Sequence, residues 1–247
     1  MKVRSAVMVG ISWLLLVAVG AAKDKDKEAA YQNVDAGSFG VFMGGRRVAT
    51  EKFSIQQNPA GSIAVSEFKT EASVDPASQS SELQLAPNGD LRKYEWKEAS
   101  PGKAQAVVTP NDNLLIERST NKPQDKEEEH PFLLPLSTSI LDDYFFIDRE
   151  ILVWKYLATG CRQDKGQVAC PQNQQVKFGA INPHQRSSLL VSLAFTGKEK
   201  VPVHGVEQEL NHFILKSDAG DWSMWLDDQF KLVRILIPAD NTEVVRD

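Results

Sequence analysis

Metal-binding residues are scarce in this chain, which has four histidines and two cysteines among 247 residues. His130 lies in a charged stretch, His184 follows Pro183, and His204 and His212 are too far apart for one helical or strand ligand motif, so no metal signature forms. There is no excess of positive charge either. With 28 Lys and Arg against 33 Asp and Glu, the net charge is −5, which argues against a nucleic-acid partner whose phosphates must be neutralised by clustered cations. A Gly-x-Ser-x-Gly elbow and a Gly-rich nucleotide loop are both missing, so the commonest hydrolase and cofactor motifs have no place here. Long apolar runs are missing as well. The longest, Ala6 to Val19, has 14 residues, short of the roughly 20 that span hydrocarbon.

That short run follows Lys2 and Arg4 and precedes Val19-Gly20-Ala21 and Gly20-Ala21-Ala22, small residues of the kind a signal peptidase reads. Residues 1–22 are therefore expected to be a secretory signal peptide and residues 23–30 a charged flexible start. No cysteine lies near enough to carry a lipid anchor. Removal of 1–22 leaves 26 basic against 33 acidic residues, a net charge of −7. The expected location is periplasmic or extracellular, with no transmembrane span after processing. In that oxidising setting Cys161 and Cys170, with a polar Gly-bearing loop between them, are expected to form a disulfide. Closing so short a loop contributes roughly 2–3 kcal/mol by chain entropy.

Hydrophobic periodicity is two through most of the chain. Phe39 to Met43, Gly44-Gly45, and Val48 to Gln57 read as a hairpin, since paired glycines take the positive φ angles of a tight turn. Gly61 to Ala72 reads as the next strand. Leu83 and Leu85, Pro87-Asn88-Gly89-Asp90, and Leu91 to Lys97 make a second hairpin, and Ala104 to Val108 pairs with Leu114 to Arg118. Asn121 to His130, with Glu127-Glu128-Glu129 and flanking prolines, reads as an exposed connector. Alternation returns from Val176 to Val203 and from Leu210 to Leu226. Gln229 to Ile237 reads as the final long strand.

One segment has a period near 3.6. From about Ser139 to Leu157, Ile140, Tyr144, Ile147, Ile151 and Trp154 recur at helical spacing. Ser137, Thr138 or Ser139 stands ready to cap the start, and Asp142-Asp143 lies near the positive end of the dipole. The stripe is broad enough to predict a helix covered by sheet on most sides. The expected fold is mainly β (α+β): a strongly curved antiparallel sheet or half-barrel of about nine to eleven strands around one central helix, forming a single domain over 31–247. Tyr144, Ile147, Ile151 and Trp154 are expected to face inward.

The hairpin Phe39 to Ile55 and the closing stretch Trp222 to Ile235 resemble secreted bacterial proteins of unknown function, and the overall plan is similar to the LolA and LolB lipoprotein carriers. That resemblance implies a curved sheet, an apolar cavity for acyl chains and no catalytic residue. The expected function is exported, non-catalytic binding of a lipid, an acyl chain or a lipidated envelope partner. Tyr144, Phe145, Ile147, Ile151 and Trp154 are the candidate pocket residues, with no metal and no cofactor. The same aromatics equally suit a filled core. Two other classes compete: a module that binds partners through sheet edges, and a glycan hydrolase using Asp142-Asp143, Asp227-Asp228, or Asp148 with Glu150. Asp227-Asp228 reads more simply as a turn.

Overall fold

The structure is a computed structural model that describes residues 29–247 apart from 72, 73, 75, 165, 166 and 219. The expected signal segment and most of the charged start lie outside the described residues. The first half is a run of eight strands: β1 (Gln32–Met43), β2 (Arg46–Asn58), β3 (Gly61–Thr70), β4 (Ser78–Leu85), β5 (Leu91–Ser100), β6 (Gln105–Asn111), β7 (Leu114–Thr120) and β8 (Glu128–Phe132). A short strand β9 (Ser139–Ile140) precedes helix α1 (Ile147–Gly160). After it come the small hairpin β10 (Arg162–Asp164) and β11 (Gln167–Ala169), and then β12 (Gln175–Asn182) and β13 (Ser187–Val203). The chain closes through β14 (Val206–Ser217), β15 (Gly220–Leu226), β16 (Leu232–Ile237) and β17 (Thr242–Arg246).

Fifteen of these strands form one open sheet, in the order β8-β7-β6-β5-β4-β3-β2-β1-β17-β16-β15-β14-β13-β12-β9. Only the β9–β12 pair is parallel among the described residues. Hairpins explain most of this order, because each short turn returns the chain beside the strand it left. Gly44 and Gly45 take φ values of 56° and 78° in the β1–β2 turn, as a two-residue hairpin requires. At Gly61 a Cβ would lie 2.1 Å from the Leu85 carbonyl oxygen. That glycine lets β3 and β4 approach closely beside the helix.

Four expectations need correction. The sheet has more than nine to eleven strands, because β8, β9 and β17 carry no strong alternation of their own. β8 arises from the stretch expected to be an irregular connector. It pairs only with β7, and as an edge strand it tolerates Pro131, which has no N–H to offer a further neighbour. β17 follows Pro238, where a 3-10 turn and Asn241 at φ 48° redirect the chain. It then enters the middle of the sheet, between β1 and β16.

The helix begins at Ile147, not near Ser139. Ser139 and Ile140 pair with Ala180 and Ile181 of β12, and the Leu141 N–H donates to the Ile181 carbonyl at 2.9 Å. Residues 137–139 thus join a strand and supply no cap. The expected inward set shifts with the start. Ile147 is buried, but Tyr144, Ile151 and Trp154 are only half-buried, while Leu152, Val153, Tyr156 and Leu157 fill the core. These residues join one contiguous apolar core with side chains from β1 through β16, including Phe39, Ile55, Tyr94 and Phe213.

Candidate functional site

A cavity of about 490 Å³ lies between α1 and the strands β2, β3 and β4. Its sheet wall is made by Ile55, Ala64, Leu83 and Leu85, which project from alternate positions of their strands. Ile151, Leu152, Trp154, Lys155 and Ala158 supply the helix wall, and residues 137–140 and 86–90 complete the enclosure. Trp154 is fixed by its indole N–H, which donates to the Phe230 carbonyl at 2.8 Å. Lys155 donates to the Ser137 carbonyl and approaches the Ser139 hydroxyl at 3.4 Å. Asp148 also reaches the lining. Burial, reinforced by Asp142 and Glu51, pushes its carboxyl well above the usual range despite Arg149.

Of the five candidate pocket residues, Ile151 and Trp154 line this cavity. Phe145 and Ile147 are buried in the core, and Tyr144 stands edge-on to Phe68 at 5.4 Å and beside His184 at 4.6 Å. The disulfide Cys161–Cys170 is formed at the end of α1 and closes the β10–β11 hairpin.

A buried polar cluster, invisible in the sequence, lies around residues 142–150. Asp142 accepts the Tyr94 hydroxyl at 2.7 Å, the Tyr144 N–H at 3.0 Å and a bond with His184 Nδ1 at 2.7 Å. His184 Nε2 meets Gln79 Oε1 at 2.7 Å, and its ring stacks on Trp96 with centroids 3.9 Å apart. Both ring nitrogens are thus occupied by protein groups. Nearby, burial raises Glu117 to about 7 against the pull of Arg186, whose Nε lies 3.8 Å away. Glu150 rises to about 9, again by burial, although it accepts the Leu232 N–H at 2.6 Å.

The acidic pairs have structural partners. Asp143 accepts from Asn182 at 2.7 Å and Gln185 at 2.8 Å. Asp227 accepts the N–H groups of Gln229 and Lys231 within a turn, and Asp228 pairs with Lys198 at 2.6 Å. Among the described residues no group of His, Cys, Asp and Glu is arranged to hold a metal ion, and no helix is long and apolar enough to cross a membrane.

The chain is similar to a solved structure. This is the crystal structure of a DUF1089 family protein from Pseudomonas aeruginosa, 11% identical over 74% of this chain and 87% of that one, with a TM-score of 0.45. No family model and no curated protein matches the sequence. So distant a likeness leaves the cavity to be read from its own residues. The helix half of its wall follows from the apolar stripe, since Ile151 and Trp154 belong to it. The sheet half does not, because strand alternation marks Ile55 and Leu83 as buried without saying what they face.

Proposed function

We propose that this protein is a non-catalytic binding protein that holds an apolar chain, from a lipid or a lipidated envelope partner, between α1 and the sheet. The observation that carries this reading is the cavity itself. Its volume, about 490 Å³, falls within the roughly 300–1,000 Å³ of small-molecule sites, and its exposed wall is mostly apolar, although polar residues such as Gln57, Ser62, Ser139 and Thr159 also line it. A LolA-like curved sheet accounts for how one helix makes such a space. The α1 N-terminus meets Glu51 of β2, and Gly160 at its other end meets Val176 of β12. Those strands are seven places apart in the sheet, about 34 Å if it were flat, whereas 14 residues of helix extend only about 21 Å. Bending the sheet around the helix reconciles the two lengths.

Export supports the same reading, since the leader-like residues 1–22 and the disulfide both suit an oxidising envelope compartment. Hydrolysis has less support, because Asp142-Asp143, Asp227-Asp228 and His184 are committed to protein partners and, of Asp148 and Glu150, only Asp148 reaches the cavity. The decisive experiment is native mass spectrometry of the protein purified from the cells that make it, alongside an Ile151→Trp variant that fills the cavity. Retained lipid in the natural protein and its loss from the variant are expected. If no lipid is retained and no apolar probe binds, the reading fails, and the open β8 edge becomes the surface to test for partner-strand addition.

A further inference from the structure

The geometry points to an anionic head group on the ligand, a carboxylate or phosphate at the end of a single apolar chain, received by Lys155. This rests on the carrier reading above and assigns its ligand class. Lys155 lines the same cavity as Ile55, Leu83, Ile140 and Ile151, so a chain lying along those side chains brings its end to the ammonium. The ammonium is half-buried, and burial lowers its pKa. Its bonds within the protein are to the Ser137 carbonyl and, at 3.4 Å, the Ser139 hydroxyl. Both are neutral, and an ammonium has three donors to satisfy.

Several other partly covered cations of this protein are neutralised, and buried Arg149, which has no ion pair among the described residues, is held instead by the Asp142 and Phe145 carbonyls and the Trp222 ring. Lys231 has Asp35 at 3.3 Å, Arg234 has Glu243 at 2.6 Å, and Arg246 pairs with Asp35. Lys155 has no such ion pair among the described residues, although it borders an apolar space where a lone charge is costly. A ligand acid would supply the missing counter-charge. Two other acids border the cavity. Asp148 is buried and its carboxyl is shifted upward, which favours the protonated form and lessens its repulsion of an anion. Asp90, whose carboxyl accepts from Asn88 at 2.8 Å, pulls the Lys155 pKa upward from beyond ion-pair distance and opposes an anionic head. The two charges therefore make opposite demands on the ligand, and each can be removed separately.

Calorimetric titration of the purified protein with dodecanoate and with dodecanol, both below micellar concentration, tests the assignment. Wild-type protein is expected to bind the acid about tenfold more tightly than the alcohol. Lys155→Met should lower dodecanoate affinity to that of dodecanol and leave dodecanol unchanged, Lys155→Arg should keep the preference, and Asp90→Asn should strengthen dodecanoate alone. Thermal melting checks that each variant folds. If Lys155→Met does not fold, the acid-to-alcohol ratio of the wild type and its rise in Asp90→Asn decide the question. Equal affinities for acid and alcohol in the wild type, or a preference unchanged in Lys155→Met, overturn the head-group assignment and leave the carrier reading standing. If neither probe binds, both fall.

Discussion

Glu51 caps a helix that starts 96 positions further along the chain, accepting the Phe146 N–H at 2.7 Å and the Ile147 N–H at 3.4 Å. The helix has no side-chain cap of its own. A carboxyl from β2 therefore satisfies donors that a Ser or Asp would ordinarily serve, and Ser66 holds it in place at 2.6 Å. Glu51→Ala is expected to cost about 2–3 kcal/mol of unfolding free energy, because it leaves buried helix donors without partners. Urea denaturation measures it. An unchanged midpoint would contradict the capping role.

The same burial gives the protein an inverted pH response. Glu51 and Glu117 are raised to about 7, and Glu150 to about 9, from an ordinary value of 4.5. Between those limits the folded chain holds protons that the unfolded chain has released, so stability falls as pH rises from 4.5 towards 9. Asp35 acts in the opposite sense at the acid end. Burial, the largest single influence, would raise its pKa, but the hydrogen bond and charge of Arg246 together with Glu150 and Lys231 outweigh it and lower the pKa, so its contribution is present above 3.8 and lost as the carboxyl protonates. Urea midpoints are expected to peak in mildly acidic buffer and decline towards alkaline pH, with Glu150→Gln flattening the alkaline limb.

Joint replacement of Cys161 and Cys170 by serine is expected to lower stability by roughly 2–3 kcal/mol, the entropy of closing a short loop. The bond fastens the β10–β11 hairpin to the end of α1. Hydrogen exchange should show the loss concentrated in that hairpin and the last turn of the helix, with the sheet little changed.

His184→Ala is expected to cost about 2–4 kcal/mol, since it removes the stacking surface of Trp96 and leaves Asp142 and Gln79 short of a partner each. Thermal melting reads the loss. His184→Ala should leave affinity for an apolar probe unchanged, because His184 does not line the cavity.

The hairpins were the most legible part of the sequence because their signals are local. Gly44-Gly45 and Pro87-Asn88-Gly89-Asp90 stand between alternating runs, and the strands form where those runs lie. The start of the helix was not legible. Ser137 to Ser139 imitate a cap, while the group that serves as one comes from β2, and only the partner β12 makes Ser139–Ile140 a strand. The Asp142–His184 pair, 42 positions apart, likewise depends on a turn brought over the sheet by its neighbours. Ile151 and Trp154 could be chosen from helical spacing, but Lys155, between an apolar wall and two serines, could not.

The position of β17 has a consequence for how the molecule assembles. β1 and β16 both complete their hydrogen bonding on residues 242–246, and Asp247 adds a clasp to Arg47 at 2.8 Å and Ser38 at 2.7 Å. β17 is synthesised after every strand it joins, so a β1–β8 meander that folds during translation has a bare inner edge. Such an edge recruits other strands. Nascent chains stalled before residue 242 should be the species that chaperones bind, and deletion of 242–247 should part the sheet at its centre while leaving both outer edges intact.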